Sequence, residues 1–404
     1  MIEQLEIRFW DEVPPSDETR KWWVDRRNYD CPFRSFVGNE KAVKRLRRAA
    51  FVALGRHNHC CSEYAFALCG PASTGKTTLA RLFAETLKLP FVEIQPQQVS
   101  KVHDIFEEIE RVCRETVIYD GDDEYTLELV DYNELPGEDE ADKRRRMRRY
   151  ILPPMIVFID EVHELKNNVE QGLLKATERN DGQLATEFGV EADARRVCWF
   201  IATTDRGDLT TQFDTRFRKV QLRLYSRDEV AQIIQLKNPD WDASICKLVA
   251  KYSNIPREAN DFAMDMRAEH QMNGGKWEDV AAIVATEYGI DRYGLSHQRL
   301  EILKALGQTP ISAQNLTLIA QTKEADLKKF VMPPLLAVTP DQPMALVTTT
   351  SRGYTITPAG LEELDKREIP NLGLNAMPEQ ARVLFENMMR NTFHCPVNLK
   401  PQEN

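Results

Sequence analysis

The sequence of 404 residues contains no apolar run approaching the ~20 residues needed to cross a bilayer. Its opening residues, Met1-Ile2-Glu3-Gln4-Leu5-Glu6, lack the basic-then-apolar order of a secretory leader. Both absences argue against a membrane or export route, and a cytoplasmic location is the expectation. The eight cysteines lack framework spacing, which argues against a disulfide scaffold and suits thiols kept reduced in a core. The cluster His57-Asn58-His59-Cys60-Cys61 is too bunched for zinc spacing and reads as ordinary loop. Positive charge is also short. With a formal net charge of −10, the chain as a whole does not advertise nucleic-acid binding. Whole-chain charge is a blunt guide, however, because Asp120 to Asp142 hold eleven acids and no base, and Lys143 to Arg149 then hold six bases. Such blocks read as a solvated, partly disordered insertion over about residues 117 to 154. No internal repeat is found.

What is present begins at Gly70. Residues Gly70-Pro71-Ala72-Ser73-Thr74-Gly75-Lys76-Thr77 form a complete P-loop, preceded by a strand-like stretch (Tyr64 to Cys69) and followed by a helical one (Thr77 to Leu87). Glycines let backbone N–H groups close around phosphates, and the helix N-terminus adds a favourable dipole. Lys76 is expected on the β and γ phosphates of ATP, Thr77 on Mg²⁺, and Thr78 continues the nucleotide-binding run. Further along, the apolar run Met155 to Ile159 reads as a buried parallel strand. It ends in Asp160-Glu161, at the sheet edge where ligands bind in open α/β folds. Asp160 is expected to hold Mg²⁺ through water, and Glu161 to orient or deprotonate the attacking water.

Around these motifs the pattern divides the chain. Residues 1–35, with Trp10, Trp22, Trp23 and the Pro14-Pro15 pair, read as an arm that packs on its own domain or on a neighbour. Residues 36–224 read as a doubly wound parallel sheet: a helix through Leu54, the P-loop unit, a strand at Phe91 to Ile94, a helix over Lys101 to Arg114, the Asp160 strand, a helix over Asn168 to Glu178, and a strand from Cys198 to Ala202. A hairpin is expected in between, with arms Gln183 to Phe188 and Ala194 to Val197 around Gly189-Val190-Glu191. Residues 225–290 read as four helices without strands, a small lid. Residues 291–370 give helices followed by a two-stranded ribbon around Ser351-Arg352-Gly353, the pattern of a winged helix. A helix from Glu379 to Asn391 and a polar tail complete 371–404.

The ordered motifs resemble the AAA+ ATPases and, within them, the RuvB-type Holliday-junction branch-migration motors. The resemblance spans about residues 33 to 368. It rests on Phe36-Val37-Gly38-Asn39, the P-loop through Ala80, Phe158 to Leu165 (F-I-D-E-V-H-E-L), Ile201 to Leu209 (I-A-T-T-D-R-G-D-L), Phe213 to Phe217 (F-D-T-R-F), Asn254 to Asn260 (N-I-P-R-E-A-N), and Tyr293 to Leu303. It implies that Thr204, with Thr203 as runner-up, is the sensor that bonds the γ-phosphate or the lytic water. It also implies that Arg216 is an arginine finger reaching a neighbour's site, a role Arg218 could take instead, and that Arg257 after Pro256 is a second sensor. Adenine is expected near Phe36, Val37 and Pro256. Arg352, at an exposed ribbon tip, is the natural DNA contact, with Tyr354 beside it where the family pattern favours a second basic residue.

These implications describe a homo-oligomer, hexameric by the family pattern, that hydrolyses ATP and translocates duplex or junction DNA. Several features depart from the pattern. Residues 293–404 carry eleven Lys/Arg and eleven Asp/Glu, so a single wing should bind duplex DNA weakly. The hairpin, which in the family docks a junction-recognising protein, is short and not strongly apolar, so the junction-recognition or loading partner is expected to be different or missing. Two other readings stand beside the motor: a loader or remodeller of another protein at DNA, and a DNA-binding module switched by ATP.

Overall fold

The computed structural model describes residues 32–54, 65–115, 117–120, 123–126, 130–131, 148–178, 182–204, 211–307 and 310–369. The tryptophan-bearing arm through residue 31, the His57–Cys61 cluster, the charged centre of the insertion and the helix expected over 379–391 lie outside the described residues. Two compact units emerge, Met1–Gly70 with Gly75–Leu222, and Pro71–Thr74 with Arg223–Asn404. Lid and wing, expected as separate domains, fall in the same unit.

The first unit is built on five parallel strands: β1 (Phe66–Cys69), β2 (Phe91–Ile94), β7 (Met155–Ile159), β10 (Val197–Thr203) and β11 (Arg218–Gln221), in the order β11-β1-β10-β7-β2. Successive side chains on a strand point to opposite faces, so a run such as Met155–Ile159 is wholly buried only if both faces are covered. They are. Ile156 and Phe158 join Leu46 of helix α1 (Glu40–Leu54) and Phe83 of helix α2 (Lys76–Leu87) on one side. Met155, Val157 and Ile159 join Ile105 of helix α3 (Val102–Glu115) and Leu173 of helix α4 (Asn167–Ala176) on the other. Phe66, Phe83 and Phe200 pack with ring centroids 5.1–5.9 Å apart; burying one such side chain contributes about 1.5–3 kcal/mol.

The hairpin differs from expectation. Its strands are β8 (Gln183–Ala185) and β9 (Val190–Asp193), so the turn precedes Val190, and Val197 opens β10. The physical reason is burial with period two: Leu184, Val190 and Ala192 enter the core, and Gly189 supplies the left-handed turn residue (φ 75°). The tip is tied down because the Glu187 carboxylate accepts from the N–H groups of Val102 (3.1 Å) and His103 (3.3 Å) at the start of α3.

The insertion is also more ordered at its flanks than its charge suggests. β3 (Val117–Asp120) and β4 (Asp123–Thr126) pair antiparallel, while β5 (Val130–Asp131) and β6 (Arg148–Ile151) extend the hairpin into a four-stranded sheet, β5-β6-β9-β8. Backbone pairing of β6 with β9 thus takes in Arg148 and Arg149, the end of the basic run.

A short helix α5 (Thr211–Asp214) precedes β11; in the second unit, helices α6 (Arg227–Lys237), α7 (Ala243–Tyr252), α8 (Pro256–Asn273) and α9 (Trp277–Glu287) form the lid. Ser226 and Glu229 make a reciprocal capping box at the start of α6. The wing has α10 (His297–Ala305), α11 (Ala313–Ala320), a π turn (Leu327–Val331), α12 (Met332–Leu336), the ribbon β12 (Val347–Thr350) and β13 (Gly353–Ile356), and α13 (Pro358–Asp365). Lid and wing are joined by polar contacts. The buried Arg299 guanidinium donates to Glu258 Oε1 (3.2 Å), and the Arg227 N–H donates to Asp341 Oδ2 (2.9 Å). No described helix is long and apolar enough to cross a membrane.

The ribbon depends on Gly353, whose φ is 136° and whose missing Cβ would lie 2.2 Å from the Ile311 carbonyl oxygen. Tyr354 and Ile311 exchange backbone bonds of 2.8 and 2.9 Å there, which forces the approach. Gly353→Ala is expected to destabilise the protein by about 1–3 kcal/mol, a loss that thermal denaturation followed by circular dichroism would detect.

Candidate nucleotide site

Register places the site. Cys69 is level with Thr203, and Ile159 with Ile201, so β1, β7 and β10 deliver Gly70, Asp160 and Thr204 to one edge of the sheet. The P-loop leaves β1 through Gly70, whose N–H donates to the Thr203 carbonyl (3.2 Å). Ser73 (φ 60°) and Gly75 (φ 85°) are both left-handed, a curl that turns successive N–H groups inward as in anion-binding nests. Lys76 opens α2 buried, and its ammonium donates to the Gly70 carbonyl at 2.9 Å. Thr77 follows in the first turn, half-buried, with Thr78 exposed. Within the second unit, Thr74 donates to the Pro71 carbonyl (2.9 Å), and the buried Tyr225 hydroxyl donates to the Thr74 carbonyl (2.9 Å). Tyr225 is a residue that sequence reasoning missed; nothing in its neighbourhood in the chain marks it.

At the end of β7, Asp160 accepts the Glu161 N–H on Oδ1 (3.0 Å). Burial raises the Asp160 carboxyl above its ordinary value, the neighbouring Glu161 charge adds to this, and Lys76 only partly offsets it. Glu161 itself is left-handed (φ 44°), which turns its side chain back over the sheet edge. Its Oε2 accepts from both the Thr204 hydroxyl (3.0 Å) and the Thr204 N–H (3.1 Å). Of the two threonines considered for the sensor, Thr204 is therefore the one that meets the carboxylate. Thr203 Oγ1 lies 3.1 Å from His163 Nδ1 instead, and that nitrogen is 3.5 Å from Glu161 Oε2. His163 is a further residue that sequence reasoning missed, since it stands out there only within the string F-I-D-E-V-H-E-L.

The remaining expected residues stand elsewhere. Arg216 pairs with Glu178 at 3.0 Å, both side chains about a third exposed. Arg218 opens β11, its N–H donating to Ala65. Phe36, with Val37 beside it, packs half-buried against the α1 and α2 side of the sheet. Pro256 and Arg257 start α8 in the second unit, with Arg257 exposed. Arg352 is exposed in the ribbon turn. Tyr354, beside it on the ribbon, has its ring half-buried against the wing core and exchanges backbone bonds with Ile311. Among the described residues no group of three or more His, Cys, Asp or Glu is arranged to hold a metal unaided.

A parallel sheet with a phosphate-binding loop leaving β1 and two acids ending β7, on the other side of β10, defines the class as a P-loop ATPase. Residues 66–225 match the AAA family, described as ATPase family associated with various cellular activities. The Holliday junction branch migration complex subunit RuvB of Bdellovibrio bacteriovorus is 25% identical over 363 residues, 86% of this chain and 95% of that protein. The corresponding subunit of Treponema denticola is 26% identical over 371 residues, 86% of this chain and 93% of that protein. The solved structure of the Thermotoga maritima RuvB Holliday junction branch migration motor matches with a TM-score of 0.58 at 20% identity, over 82% of this chain and 95% of that one. Residues 66–225 thus carry an AAA-type ATPase domain, and over most of its length the chain is similar to RuvB subunits from which it has diverged.

The raised Asp160 carboxyl means that its charged form costs folding free energy, a cost relieved as pH falls or as the charge is removed. Asp160→Asn is therefore expected to raise the thermal midpoint of the nucleotide-free protein while abolishing ATP turnover. Calorimetry alongside a phosphate-release assay checks both signs.

Proposed function

We propose that this protein is a ring-forming motor that hydrolyses ATP to translocate duplex DNA and drives branch migration at Holliday junctions in recombination and repair. The observation that carries the reading is the gathering of Lys76, Asp160, Glu161 and Thr204 at one sheet edge, in a chain that spans 95% of a RuvB subunit's length. Lys76 would bind the β and γ phosphates, and the P-loop N–H groups would cradle them. The Thr77 hydroxyl and Asp160 would hold Mg²⁺. The fit rests on the carboxyl that burial and Glu161 leave short of positive charge; when bound, the ion neutralises charge on the phosphates. Glu161 accepts the proton of the attacking water as its oxygen bonds the γ phosphorus and the bond to the ADP oxygen breaks. Thr204 orients the water or the γ-phosphate.

Arg216 is assigned to a neighbouring subunit's site. Its pair with Glu178 is a surface ion pair of about 0–1 kcal/mol, weak enough to be exchanged for a triphosphate. Arg257 would sense the phosphate from the lid. Lid rotation would then carry the wing, because Arg299–Glu258 and Arg227–Asp341 tie the two together. Arg352 would contact DNA phosphate. A neutral wing contributes little alone, and repetition around a ring supplies the avidity.

The trans assignment has a direct test. Lys76→Ala should abolish ATP binding, whereas Arg216→Ala should keep binding and lose turnover by about 10³-fold or more. Mixing the two inactive variants should restore part of the turnover, since the first supplies fingers to the second's intact sites. Mixtures that stay inactive, or a protein that stays monomeric with ATP and a four-way junction, overturn the ring. Turnover without movement of a fluorescent junction would point to a loader.

A further inference from the structure

The arrangement of donors around Glu161 leaves a gap in the ATPase cycle that one side chain is placed to fill. Glu161 Oε2 is held by two donors of one residue, the Thr204 N–H at 3.1 Å and the Thr204 hydroxyl at 3.0 Å. A threonine hydroxyl has a single hydrogen to donate. If Thr204 donates it to a γ-phosphate oxygen or orients the attacking water through it, Glu161 loses that bond at the moment its carboxylate must be aligned. Positioning matters strongly at this step, since a displacement of about 1 Å can lower a rate about 100-fold.

We propose that His163 is a positioning residue for Glu161, taking over the carboxylate when Thr204 turns to phosphate or water. The imidazole sits on the 3₁₀ turn Val162–Glu164, two residues beyond Glu161, whose left-handed backbone folds the carboxylate back toward the ring. Val162 anchors this turn in the core. His163 Nδ1 is 3.1 Å from Thr203 Oγ1 and 3.5 Å from Glu161 Oε2. The first distance is a hydrogen bond, and the second is one short rotation from becoming one. Thr203 and Thr204 are consecutive at the end of β10, so the ring and the sensor are referenced to the same strand. When Thr204 turns toward phosphate, a small rotation of the His163 ring, in the tautomer that carries its hydrogen on Nδ1, moves that hydrogen from Thr203 Oγ1 to Glu161 Oε2. The side chain is only 18% exposed, which limits competition from water for that donor.

The inference rests on Glu161 being the base and Thr204 the sensor, so the test separates its own failure from theirs. ATP affinity is measured with a fluorescent ATP analogue and turnover by phosphate release, for Glu161→Gln, Thr204→Val, His163→Leu, His163→Asn and the double variant Glu161→Gln/His163→Leu. Asn carries an amide N–H near the place of Nδ1 and Leu does not. His163→Leu is expected to lower kcat about 10- to 100-fold with KM and analogue affinity within about twofold, and His163→Asn to recover most of it. In the Glu161→Gln background His163→Leu should have no further effect. Wild-type kcat in His163→Leu, equal loss in the Asn variant, or a full additional loss beside Glu161→Gln overturns the role of His163. Undiminished turnover in Glu161→Gln or Thr204→Val sinks instead the base or sensor assignment on which it rests.

Discussion

Parallel pairing of β1, β10 and β7 is the constraint on which the functional geometry depends. Each strand contributes one group at its C-terminal end, and hydrogen-bonded register sets those groups level: Cys69 with Thr203, Ile159 with Ile201. A parallel sheet tolerates this only when helices cover both faces, which explains why Met155–Ile159 and Val197–Thr203 are buried throughout. The Phe66–Phe83–Phe200 cluster is thus linked to the chemistry, because it holds β1 against β10.

The same edge concentrates cost. Two adjacent carboxylates end β7, one raised by burial and by its neighbour's charge, and Glu161 and Ser73 both adopt left-handed backbone that residues with a Cβ avoid. Such strain persists where the surrounding fold over-determines it. Here the strain aims a carboxylate and a run of N–H groups at the place where phosphate charge would gather, so features unfavourable for folding are favourable for binding an anion with its cation.

The second unit has a different logic. Its helices are ordered by local signals, such as the capping box at Ser226, and its parts are tied by charge pairs with little exposure. Arg299 is nearly buried between Glu258 and the Phe330 carbonyl, and Arg367 pairs with both Asp291 and Glu363. Breaking the Arg299–Glu258 pair strands a nearly buried charge, which is expensive, so lid and wing resist separation, while the Arg367 pairs fasten the wing to itself. Glu258 follows Arg257 directly, and a lid residue assigned to nucleotide sensing is therefore one peptide bond from a link to the wing.

Much of this was legible in the chain itself. The P-loop, the apolar run before Asp160-Glu161 and the order of helices and strands are local patterns, set by backbone preference and side-chain periodicity, and they determined the class and most of the elements. Other features depended on contacts distant in the chain. The hairpin turn moved because burial of Val190 and Ala192 outweighed the turn signal after Gly189, and the C-terminal flank of a charged insertion became a strand because β9 offered an edge. Tyr225 on Thr74, Glu187 on the start of α3, and His163 beside Glu161 and Thr203 join residues up to 151 positions apart. Composition and spacing determine which groups a chain carries; which of them share a carboxylate or cap one another's backbone is decided only when register and packing bring their atoms within bonding distance.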